Sequence, residues 1–176
     1  MPRQEELNLY IKPVGTVRSD LKSPVLAFDG GDLNMRESHG PHGAVSPRES
    51  QLVINDDYTE CLDGIEDFSH VLVLYWSHMV GEKGRCITKV HPAGQKDLAM
   101  VGVFSTRSPA RPNPICATTV ELLSRKGNVL VVRGLDAVDG SPVIDLKPHL
   151  PFFDAPKEVR LAKWMRDLMQ RFRGSD

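Results

Sequence analysis

Residues 101–115 read Val-Gly-Val-Phe-Ser-Thr-Arg-Ser-Pro-Ala-Arg-Pro-Asn-Pro-Ile. A short apolar run ends here in a loop with Pro109, Pro112 and Pro114. Each proline fixes φ and lacks an N–H, so neither a helix nor a central strand can pass through. Each also pushes its predecessor, Ser108, Arg111 or Asn113, toward extended backbone. The result is a stiff loop that presents Arg107, Arg111 and Asn113, whose forks and amide suit a carboxylate, a phosphate or a purine edge. By composition alone the same stretch reads as a proline-rich turn with solvated arginines.

Outward from this loop, three further segments stand in order. They are Gly-Thr-Val-Arg-Ser at 15–19, Gly-Ile-Glu-Asp-Phe-Ser-His with an apolar run and a histidine at 64–78, and 135–151, Leu-Asp-Ala-Val-Asp-Gly-Ser-Pro-Val-Ile-Asp-Leu-Lys-Pro-His-Leu-Pro. Together with the proline-rich loop they resemble the TrmO family, also called TsaA-like or VirR-like, over most of residues 10–154. The resemblance implies a small, mostly antiparallel β-barrel that works as a homodimer.

Composition fits one domain over residues 1–176: 40% of the chain is hydrophobic, enough for one core. The net charge of −1 gives no global pull toward nucleic acid, so any such contact needs a local patch. Cys61, Cys86 and Cys116 are odd in number and far apart, which argues against a disulfide framework or a zinc site and for a reducing compartment. Cys116 reads as a packed thiol rather than a nucleophile. His39-Gly-Pro-His42 falls short of a four-ligand metal site. No apolar run nears the ~20 residues of a membrane span, so a soluble, cytoplasmic protein is expected.

The pattern is mainly β. Strands are predicted at 9–17, 51–54, 71–76, 85–90, 100–104, 117–123, 129–133 and 142–146, with a hairpin turn at Lys126-Gly127-Asn128 and a tight turn at Asp139-Gly140. Residues 20–50, rich in Gly and Pro, read as a long loop. Residues 156–172 read as a C-terminal helix opened by Pro156, with Leu161, Trp164, Met165, Leu168 and Phe172 on one face. Its other face carries Lys157, Arg160, Lys163, Arg166, Arg171 and Arg173, the local basic patch that could meet RNA phosphates.

No glycine-rich loop follows a strand, so a doubly wound nucleotide fold is not supported. The resemblance instead implies S-adenosyl-L-methionine on the barrel near the dimer interface. Carried over by position, its contacts are His78 and Met79, Arg107, Thr118 and Thr119, and the run Asp136, Ala137, Val138 and Asp139. Arg36, in Met35-Arg36-Glu37, stands nearest to a Pro-Arg-Gln segment of the family. Arg107 suits a carboxylate, and Asp136 or Asp139 suits hydroxyls or an amino group.

The family's acceptor is N6 of N6-threonylcarbamoyladenosine in tRNA, which asks for positioning and one modest base. His78 and Asp139 are the catalytic candidates, and Arg111, Asn113 and Lys147 the substrate-binding ones. No metal is expected. Two alternatives stay open: a methyltransferase of the same fold acting on a small molecule or another nucleotide, and a non-catalytic RNA-binding module.

Overall fold

Gly15–Arg18 forms β1, with Val17 inward and Thr16 and Arg18 outward. The same two-residue period runs through β4 (Glu49–Ile54), β5 (His70–Trp76) and β9 (Val129–Arg133). Leu52, Val71, Val73, Leu130 and Val132 are fully buried on its inner side. With β8 (Ile115–Lys126) and β10 (Pro142–Pro148) these strands close a six-stranded ring in the order β1-β10-β5-β8-β9-β4. Every pair in the ring is antiparallel. Alternation with one face inward and closure into a ring are two sides of one solution, because closing leaves no edge strand unpaired. The structure, a computed structural model, describes residues 9–24, 26–29, 32–35 and 48–173.

Closure demands close packing where β1 meets β4. A Cβ at Gly15 would stand 2.5 Å from the Val53 carbonyl oxygen, so only glycine fits at the head of β1. Bulges between Val143 and Asp145 and between Leu122 and Ser124 bend β10 and β8 around the ring. Two 3-10 turns, Asp56–Leu62 and Ile65–Asp67, cover one end, where Leu62 enters the core. Arg125 binds the Leu62 carbonyl and the Asp63 and Glu66 carboxylates there.

The other end is the mouth. Residues 134–141, linking β9 to β10, form a strap across it, with Leu135 and Ala137 buried in the core. The strap is pinned by backbone bonds from Gly134 to Arg48, from Asp139 to Leu21 and from Gly140 to Val17. Its far end is a turn closed by Ser141 N–H to the Val138 carbonyl, with Gly140 at φ 79°, a left-handed position that favours glycine.

The expected barrel is thus present, and several expected boundaries are corrected. Residues 9–14 are not strand; Pro13 lacks a donor for the ladder, and pairing begins at Gly15. Segment 85–90 divides into α1 (Glu82–Arg85) and the short β6 (Lys89–Val90), which pairs with β7 (Val101–Gly102). Val103 and Phe104, expected to continue as strand, belong to a 3-10 turn, Val103–Ser105. The expected long loop 20–50 contains a hairpin, β2 (Leu26–Asp29) with β3 (Asp32–Met35), and ends in β4. The expected helix 156–172 starts late, as α3 at Lys163–Arg173, and a separate short helix, α2 (Pro151–Asp154), stands ahead of the expected span. Pro156 therefore opens no helix. Residues 155–162 are exposed and carry no helix, so no packing face rewards joining the short α2 to α3.

Candidate functional site

The proline-rich loop is anchored by its own small core, Val90, Val103 and Ala110. Thr106 Oγ1 donates to the Val103 carbonyl and accepts the Ser108 amide. Arg111 turns inward and donates to the carbonyls of Thr106, at 2.9 Å, and Val103. The loop is rigid, as its prolines imply, and Arg111 is one of its internal ties rather than a projecting hand.

Arg107 does project. One guanidinium nitrogen donates to the Ala117 carbonyl on β8, and its side chain is otherwise exposed. The place is set by topology. β8 pairs with β9 only from Glu121 onward, so residues 115–120 pair with β5 alone and keep one open edge. Arg107 caps that edge. Beside it, Thr118 reaches the strap and donates to Asp136 Oδ1 at 2.6 Å. Tyr75, on β5 and 5% exposed, donates to the same oxygen at 2.9 Å. A cation and an anion so flank one stretch of strand, and Asp136 Oδ2 has no partner among the described residues.

Cys116 completes this wall, packed against the core. Burial first, and the Asp136 charge second, push its thiol up to about 11, which keeps it protonated and unreactive at neutral pH. The Tyr75 hydroxyl is pushed well above its usual range by the same two causes, so it keeps its proton and can donate to Asp136.

His78 stands where β5 leaves the barrel. Its Nδ1 lies 3.2 Å from Oγ of the buried Ser141, and its Nε2 is 4.0 Å from where a Cβ on Gly140 would sit. If Nδ1 carries the proton and donates to Ser141, Nε2 is left as an acceptor over the turn. Asp139, one residue before that glycine, faces elsewhere. Its Oδ1 accepts the Ser19 amide at 2.9 Å and its Oδ2 the Lys22 ammonium at 2.8 Å. Lys22 first, then the Ser19 amide, holds this carboxyl below the usual range. With Arg18 and Gln51 it lines a shallow polar cleft on the β1–β4 side.

Arg107, Thr118 and Asp136 thus meet along β8, while His78 stands at the far end of the strap against Ser141 and Gly140, with Met79 half exposed next to it in sequence. Ala137 and Val138 are buried strap residues and offer backbone rather than side chains. Thr119 is exposed on β8, its side chain on the alternate face to Thr118. Asn113 is exposed on the loop. Lys147 is tied to Asp145 at 2.6 Å, and that carboxylate raises its pKa. Arg36 and the His39–His42 pair lie outside the described residues. No group of three metal-ligating side chains occurs among the described residues. Tyr75 and Ser141 were not singled out from the sequence. Tyr75 carried a signal, being a hydroxyl at an inward position of a strand whose other inward residues are Val71 and Val73.

A closed barrel whose crossed mouth sets a cation and an anion along one open strand edge is of the barrel class, with charged groups of both signs at its mouth. Residues 37–155 match the family model of the tRNA-methyltransferase O N-terminal domain, and the chain belongs to this family. It is 38% identical over 152 residues to an S-adenosyl-L-methionine-binding protein of Archaeoglobus fulgidus, covering 86% of this chain and 96% of that one. It is 42% identical over 159 residues to the human tRNA (adenine(37)-N6)-methyltransferase, covering 90% of this chain and only 34% of the human one. The crystal structure of TrmO from Pseudomonas aeruginosa superposes with a TM-score of 0.64 at 26% identity, over 89% of this chain and 62% of that chain. The chain thus spans about a third of the human relative and less than two thirds of the Pseudomonas chain.

Proposed function

We propose that residues 1–176 act as one barrel domain that binds S-adenosyl-L-methionine at its mouth and transfers the methyl group to N6 of a modified adenosine in tRNA. The observation that carries this reading is the placement of Arg107 and Asp136 on either side of the open edge of β8. The cofactor has a carboxylate, an ammonium and ribose hydroxyls, and this donor set fits them: Arg107 for the carboxylate, the open oxygen of Asp136 for an N–H or O–H. Bound there, the cofactor supplies an electrophilic methyl group.

The chain's own part is orientation and one proton. Arg107 and Asp136 would hold the cofactor from two sides along β8, and orientation of this kind lowers the barrier. In the tautomer whose Nδ1–H donates to Ser141, His78 Nε2 is the base that takes the acceptor's proton. Asp139 supports His78 indirectly, by fixing the turn at Gly140. The tRNA backbone meets Arg160 and the exposed basic residues of α3, and Asn113 and Lys147 lie on the acceptor's path. The protein works as a homodimer in the cytoplasm.

Isothermal calorimetry with S-adenosylmethionine tests the reading directly. Saturable binding, weakened at least tenfold by Arg107→Ala, is expected. No heat and no thermal shift with wild type would sink it. Salt-insensitive turnover, with no methyl entering tRNA that carries threonylcarbamoyladenosine, would favour a small-molecule acceptor instead.

A further inference from the structure

Asp136 is held unusually for an exposed carboxylate. Both of its described donors, Tyr75 Oη at 2.9 Å and Thr118 Oγ1 at 2.6 Å, converge on Oδ1. They come from two strands, β5 and β8, whose register at this level is fixed by the pairs Leu74 with Ala117 and Tyr75 with Cys116. Tyr75 is only 5% exposed, with its ring in the core, so its hydroxyl has little freedom. Two donors on one oxygen fix the rotation of the carboxylate and leave the other oxygen as its open acceptor.

We propose that Tyr75 is a positioning residue for ligand binding: together with Thr118 it saturates Asp136 Oδ1, so that Oδ2 is presented in one orientation to a single N–H or O–H donor of the bound cofactor. This rests on the reading that the mouth holds S-adenosylmethionine. The hydroxyl itself never touches the ligand, and acts through Asp136. It donates to Asp136 with its proton held in place by burial and the neighbouring carboxylate.

The test is a double-mutant cycle on the full chain, read by calorimetry with S-adenosylmethionine. Tyr75→Phe keeps the ring and removes the donor; Thr118→Val does the same on β8. Each is expected to weaken the cofactor roughly tenfold, the size expected for a misoriented charged hydrogen bond, with the melting temperature almost unchanged. In an Asp136→Asn background the same Tyr75→Phe change should have almost no further effect, because the group it positions is gone. Equal affinity of wild type and Tyr75→Phe, or a Tyr75→Phe loss that persists in full in Asp136→Asn, overturns the proposal. Wild type that fails to bind the cofactor at all overturns the functional reading instead, so the two failures are distinct.

Discussion

Asp136 and Asp139 stand three positions apart on one strap and hold opposite walls of the barrel mouth. Asp136 takes Thr118 of β8; Asp139 takes Ser19, just past β1. In the ring these two strands are diametrically opposed. The acid on the β8 wall keeps an open oxygen. Both oxygens of the other are engaged.

Asp139→Asn is therefore expected to cost stability more than turnover per folded molecule. The carboxyl titrates below its ordinary value because Lys22 and the Ser19 amide favour its charged form. Its folded pKa is depressed, so its contribution is present above the unfolded value near pH 4 and is lost as pH falls through the folded one. Melting temperature followed from pH 7 to pH 2.5 should drop less steeply at the acid end in Asp139→Asn than in wild type. A variant with normal melting and no turnover would give Asp139 a direct catalytic role.

Arg111→Ala should loosen the proline-rich loop by removing the bond to the Thr106 carbonyl and the longer one to the Val103 carbonyl, which Thr106 also holds. The expected loss is about 1–3 kcal/mol, a few degrees of melting temperature for a chain of this size. Limited proteolysis should show new cuts between 103 and 111. If melting and cleavage stay as in wild type while tRNA affinity falls, Arg111 is a phosphate contact and not a tie.

Gly140→Ala places a side chain at φ 79° and brings a methyl into contact with His78 Nε2. A strain of about 1–2 kcal/mol is expected, with turnover falling further than the melting curve suggests. Chemical shifts of the His78 ring that do not move in this variant would separate the turn from the histidine.

Alkylation reads the cysteines apart. Cys61 and Cys86 are exposed and Cys116 is held near 11 by burial and by Asp136. At pH 7.5 iodoacetamide should modify the first two, with Cys116 reacting only as pH rises toward its own value or as the chain unfolds. Mass spectrometry of a timed digest checks this, and rapid modification of Cys116 at pH 7.5 contradicts the packed wall.

The strands of the barrel were legible from apolar runs of strand length and the turns between them. Residues 71–76 are an unbroken apolar and aromatic run, whose alternation of buried Val71, Val73 and Tyr75 with half-buried neighbours shows only in the fold, and Lys126-Gly127-Asn128 turns a hairpin with Gly127 at φ 60°. The proline-rich loop was legible as a rigid element, yet not the direction of its arginines. Arg107 and Arg111 are alike in sequence, and only the free edge of β8 and the Val103 turn sort outward from inward. The C-terminal helix was placed too early because Leu161 extends the apolar spacing, whereas a helix needs a packed face. That face starts at Trp164 and deepens at Leu168. The opposed acids were invisible for a similar reason, since Asp136 and Asp139 share one short segment and diverge only when it crosses the mouth.

The pairing of β1 with β10 has a consequence for how the molecule comes into being. The first strand of the ring is sewn to the last, Gly15 opposite Val143, across nearly the whole chain. The mouth draws on segments at 18–22, 75–79, 107–118 and 136–141, so it exists only once that distant seam has closed. Such long-range closure is slow and cooperative. A ligand at the mouth would then recognise a completed ring and nothing shorter, making its capture a report that synthesis has run through the final strand.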